Sequence, residues 1–190
     1  MINAPAPVKR AAAPTRGLRR VAWAAAAWCV GFAAVNLIQD ASGRFDHGAL
    51  VDYAAGLAVM GWLVVALKLL GAAAALLTVH EGPRWVPAPL RLLLIWGAFA
   101  LLALYSAGNL VEAGYLLITN PGLITGRSLG YVAFFLAGAA AFGALAVSYR
   151  RRTGQGRRLI IVGVVGAPVL LGLLLVVAPA ILAAAGLLPG

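Results

Sequence analysis

The sequence predicts an all-α, polytopic transmembrane helical bundle of five spans, and three observations carry that prediction. Sixty-three per cent of the 190 residues are apolar and 11% are charged, against roughly 45–50% and about 25% in a soluble domain. The mean hydropathy is +0.97. The apolar residues gather into five runs of about 20 residues or more, the length that a hydrocarbon core of ~30 Å demands of a helix. These runs must be helical, because an open sheet edge has no partner in lipid. The period-two alternation of a barrel strand is absent.

Taken in order, residues 1–17 (MINAPAPVKRAAAPTRG) are rich in Ala, Pro and basic residues. They have too little apolar surface to fold and are expected to form a disordered basic cytoplasmic tail. Residues 18–190 are expected to make a single transmembrane bundle, because no polar stretch is long enough to build its own core. The run from Val21 to Ile38 exceeds the usual secretory h-region and has no small-x-small cleavage site after it, so it reads as an uncleaved first span. The spans are expected at about 20–39, 53–79, 90–118, 129–149 and 159–187. Asp40-Ala41-Ser42-Gly43-Arg44, Glu81-Gly82-Pro83, Pro87-Ala88-Pro89, Asn120-Pro121-Gly122 and Thr153-Gly154-Gln155-Gly156 punctuate the breaks. Pro168 and Pro179 lie within the fifth span, tolerable in a membrane where neighbours satisfy the freed carbonyls.

Charge fixes the orientation. Lys9, Arg10, Arg16, Arg19 and Arg20 in the tail, Arg84 and Arg91 at the second loop, and Arg150, Arg151, Arg152, Arg157 and Arg158 at the fourth fall on one side. Only Arg44 and Arg127 fall on the other. By the positive-inside rule the N-terminus is cytoplasmic and, after five spans, the C-terminus is outside. The formal charge of +10 therefore reads as orientation and as contact with anionic lipid on the cytoplasmic face, with Arg150, Arg151, Arg152, Arg157 and Arg158 the main contacts. Clustering beside apolar runs argues against nucleic acid. Small residues, among them Gly56, Gly61, Gly71, Ala72 and Ala75 in span two and Gly130, Gly138 and Gly143 in span four, allow close helix approach.

Two charges lie near the centre of a span, Lys68 and Glu112, each costing about 2.5–3.5 kcal/mol there. Tyr105, Gly108, Asn109 and Glu112 follow the i, i+3, i+4, i+7 pattern of one helical face. Span one offers Cys29, Phe32 and Asn36, then Gln39 and Asp40. The small residues around Lys68 turn it toward protein. At 1.5 Å per residue, Lys68 lies roughly 22 Å below the outer start of span two and Glu112 about 9 Å below the outer end of span three. A direct salt bridge is therefore out of reach without strong tilt. Tyr105, at about 20 Å, and Asn109 are the expected partners of the ammonium, while Glu112 shares its depth with Asn36 and Gln39 and faces an outer vestibule. Lys68, Tyr105, Asn109, Glu112 and Asn36 together form the candidate intramembrane polar site.

Other chemistry finds little support. The lone Cys29 excludes an intrachain disulfide, a CxxC pair and a cysteine zinc site. Asp40, Asp46, His47 and Asp52 lack metal-ligand spacing. Neither histidine sits mid-span, as a bis-histidine haem would need. No Ser-His-Asp set, phosphate loop or HExxH is present. Neither metal nor cofactor is expected. Trp23 and Trp85 suit an interfacial belt.

Leu67-Lys68-Leu69-Leu70-Gly71-Ala72, Leu104-Tyr105-Ser106-Ala107-Gly108-Asn109-Leu110 and Tyr149-Arg150-Arg151-Arg152 resemble a family of small multi-span membrane proteins common in actinobacteria. The resemblance covers about residues 21–152 and implies a helical bundle, with no activity attached. The heavy use of Ala, Leu, Gly, Val and Arg with only two lysines agrees with a GC-rich bacterial genome. Three functions are in competition. A non-enzymatic accessory or assembly module of the plasma membrane, with a membrane-protein partner or a second copy as its associate, comes first. A small transporter or permeation protein using the polar site is the alternative. A lipid-acting enzyme comes last, since no nucleophile–base pair is visible.

Overall fold

The computed structural model describes residues 12–43, 51, 54–80 and 86–186. The expected tail up to residue 11, together with Arg44, Asp46, His47, Asp52, Arg84 and Trp85, lies outside the described residues. Five α-helices follow one another: α1 (Arg16–Ala41), α2 (Ala54–Leu77), α3 (Ala88–Thr119), α4 (Gly126–Thr153) and α5 (Arg157–Ala184). All five are long and apolar enough to cross a membrane, and no strand occurs among the described residues.

The helix ends fall within a few residues of the expected ones, and local chemistry accounts for the differences. α1 starts at Arg16, inside the expected tail, because the Thr15 hydroxyl accepts the Leu18 N–H at 3.2 Å and caps the first turn. α4 starts three residues early on a capping box. The Ser128 N–H donates to Thr125 Oγ1 at 3.2 Å, and the Thr125 N–H donates to Ser128 Oγ at 2.9 Å. At Asn120-Pro121-Gly122 the chain turns as expected, with Pro121–Leu123 winding one 3-10 turn between α3 and α4. Gly154 closes α4 with φ 65°, the left-handed conformation glycine adopts without a Cβ penalty.

α1 packs on α2 and α4, while α3 packs on α4 and α5 and less closely on α2. The first four helices thus form a ring with α5 outside it, against α3. The core is narrow and built largely of small residues (Ala22, Ala25, Ala26, Ala72, Ala75, Ala139 and Ala146) around Phe142, Leu145, Ile95 and Cys29. Small residues suit a medium in which close van der Waals packing replaces the hydrophobic effect between helices. Of the glycines expected to permit close approach, Gly71, Gly138 and Gly143 do, and Gly61 and Gly130 face open space. The α3–α5 contact rests on a pair that periodicity did not single out. A Cβ on Gly97 would lie 3.0 Å from the Ala167 Cβ, and one on Gly163 would lie 3.1 Å from the Leu93 carbonyl oxygen.

At the arginine-rich end, Arg152 turns inward. Its Nη2 donates to the Thr78 carbonyl at 2.6 Å, just past the last turn of α2, and its guanidinium lies 5.7 Å from the buried Tyr149 ring. A cation on C-terminal carbonyls is favoured by the helix dipole. Arg150, Arg151, Arg157 and Arg158 are exposed. Arg152→Met is expected to lower bundle stability by about 1.5 kcal/mol, the lower end for a hydrogen bond to a charged group. Arg150→Met, which removes no such bond, should leave the thermal midpoint in neutral detergent nearly unchanged.

Candidate functional site

α1 places Trp28 and Phe32 four residues apart, one above the other on the same face. α2 brings Lys68 opposite them, and α4 adds Phe135. The Lys68 Nζ lies 4.4 Å from the Trp28 ring centroid, 4.4 Å from that of Phe32 and 5.3 Å from that of Phe135. The rings support one another. Phe134 stacks on Trp28 at 4.9 Å, and Phe135 meets Trp28 edge-on at 5.7 Å. An ammonium over a ring face gains about 0.5–1 kcal/mol when exposed and about 2 when desolvated. Three faces are therefore of the same order as the insertion cost of a mid-span lysine. Among the described residues no carboxylate pairs with Lys68.

Two glycines set this geometry. Gly71 follows Lys68 by three residues and lets α2 close on α1, since a Cβ there would lie 3.3 Å from Cys29 Sγ. Gly138 follows Phe135 by three residues, and a Cβ there would lie 2.9 Å from Trp28 Cζ2. The indole thus packs flush on the α4 backbone while its face remains for the ammonium.

Lys68, Tyr105 and Asn36 line one cavity of about 410 Å³, to which all five helices contribute. Asn109 and Glu112 instead line a second cavity of about 550 Å³, together with Arg127 and Ser128, where α3 and α4 meet the 3-10 turn. The expected partnership of Lys68 with Tyr105 and Asn109 differs from what is found. The Tyr105 hydroxyl bonds that of Tyr131 at 2.6 Å, the Asn109 amide donates to the Tyr105 carbonyl at 2.7 Å, and the Asn36 amide donates to the Phe32 carbonyl at 2.8 Å. The reason is chemical. Depth arithmetic counted oxygen acceptors alone, whereas the faces of Trp28, Phe32 and Phe135 reach the ammonium first. The i, i+4 aromatic pair beside a lysine without an acid was the available signal.

Tyr105 and Tyr131 stand between the two cavities, since Tyr105 lines the first and Tyr131 the second. Both rings lean on Phe135, at 4.6 and 4.8 Å between centroids. Tyr131→Phe removes the hydroxyl bond and is expected to cost about 0.6 kcal/mol, the average for an interhelical hydrogen bond in a membrane, measurable by steric-trap or denaturant unfolding.

No family model matches this chain, and no curated protein and no solved structure is detectably similar to it.

Proposed function

We propose that this chain is a non-enzymatic accessory or assembly module of a bacterial plasma membrane, with its N-terminus in the cytoplasm and its C-terminus outside. One observation carries the reading: the Lys68 charge is met inside the bundle by rings of α1 and α4, so the most expensive residue in the spans acts as a clasp among three helices. The neighbouring amides support it, because Asn36 and Asn109 donate within their own helices. The exposed Arg150, Arg151, Arg157 and Arg158 suit the anionic headgroups of the cytoplasmic leaflet.

A permeation protein is the second reading, favoured by two cavities that meet at the Tyr105–Tyr131 pair. Lys68→Met separates the two. For a clasp, the thermal midpoint in neutral detergent falls by the equivalent of about 1 kcal/mol, and proteoliposomes behave alike with either protein. For a permeation site, the variant folds with an unchanged midpoint and a solute flux present in the wild type disappears. An unchanged midpoint together with unchanged flux overturns both.

A further inference from the structure

The Lys68 cavity does not end at the lysine. A third cavity, of about 340 Å³, adjoins it between α2, α3 and α5, and its lining side chains are aliphatic, interrupted only by glycines. Leu67, Gly71, Ala98, Leu101 and Leu171 belong to the walls of both. This third cavity runs from beside Lys68 to Ala74 on α2, six residues or about 9 Å along the helix. α5 packs on α3 and makes no comparable contact with α2, so this trough lies along the least closed seam of the bundle.

The two ends differ in chemistry. At one end is an ammonium with ring faces about it and, among the described residues, no hydrogen bond and no acid in its cavity wall. Ring faces offset the charge, yet they leave strong donors without an oxygen acceptor. At the other end is a wall that accepts only hydrocarbon. We propose that this seam binds a single-chain amphiphile with a monoanionic head, a fatty-acid carboxylate, with its head on Lys68 and its acyl chain in the trough between α2, α3 and α5. At about 30 Å³ for each methylene, the volume of a water molecule, the trough holds about eleven. That suits one medium-length acyl chain. This assignment goes beyond the module reading, and its failure would leave the stability cost of Lys68→Met untouched.

The test measures binding of radiolabelled dodecanoate to the full chain in phosphatidylcholine nanodiscs. Saturable binding of one dodecanoate per protein is expected, displaced by unlabelled dodecanoate but not by dodecanol, acetate or phosphatidylglycerol. Lys68→Met should weaken it about thirtyfold, the loss expected when one member of a buried charge pair is removed, and Lys68→Arg should retain it. Ala98→Phe, which fills the junction of the two cavities, should weaken dodecanoate more than hexanoate, so the proposal stays testable even if Lys68→Met does not fold. Displacement by dodecanol as effective as by dodecanoate, undiminished binding to a folded Lys68→Met, or displacement by phosphatidylglycerol overturns it.

Discussion

Trp28→Ala is expected to destabilise this bundle by about 3 kcal/mol, the lower end of the range for a buried tryptophan or phenylalanine, because the indole is partly buried. Three losses coincide at that position. The indole fills the space against Gly138, where a Cβ would stand 2.9 Å from it. It anchors the stack with Phe134 and Phe135. It also supplies one of the two nearest faces to the Lys68 ammonium. The first two losses are packing, and the third is electrostatic. A double-mutant cycle with Lys68→Met separates them. The coupling should be about 1–2 kcal/mol, with Trp28→Ala costing less once the lysine is gone. Trp28→Phe should recover most of the packing and part of the coupling. Additive single and double variants would show that the ring and the ammonium do not interact.

Gly163→Leu is expected to free α5 from the other four helices. Even a Cβ at this position would meet the Leu93 carbonyl oxygen at 3.1 Å and the Trp96 Cβ at 3.0 Å. Backbone cannot give way as the end of a flexible side chain can, and overpacking of this kind costs about 1–3 kcal/mol. α5 has little else to hold it, because its packing is chiefly on α3 and Val165, Val169 and Val176 on its flank are exposed. A protease site inserted in the Gly154–Gly156 connection provides the measurement. After cleavage in neutral detergent, the α5 fragment should co-purify with the wild-type bundle and separate from the Gly163→Leu bundle. Gly172→Leu, at a position with nothing within 4 Å, is the matched control and should leave the fragment bound.

How much of this was legible in the sequence follows from which forces are local. A span is a length and a composition, so the helices fall within a few residues of the expected bounds. The residual shifts belong to caps such as Thr15 and the Thr125–Ser128 box. Which glycines touch a neighbour was not legible. Gly138 and Gly130 are alike in sequence, yet only Gly138 meets another helix, because helix pairing is a property of the whole bundle. Depth along the helices, at 1.5 Å per residue, put Lys68 and Glu112 apart, and the two line different cavities. Depth gives no azimuth, however. Tyr105 therefore shares the lysine's cavity without taking its charge, while Trp28 and Phe32, one span earlier, stand closest to it. Arg152 was one of a run of three arginines, and only the fold distinguishes it as the one bonded to Thr78.

The cage around Lys68 also bears on the order in which the chain is made. Synthesis runs from the N-terminus, so α1 is complete before α2 emerges. Trp28 and Phe32 both precede Lys68 in the chain, and α1 packs closely on α2. The lysine can therefore enter the bilayer as half of a helical hairpin, its charge sheltered by the preceding helix while Phe135 is still unmade. The Arg152–Thr78 bond, 74 residues apart, forms only once α4 is in place. The hairpin accommodates the charge first, and the arginine fastens α4 to the end of α2 later.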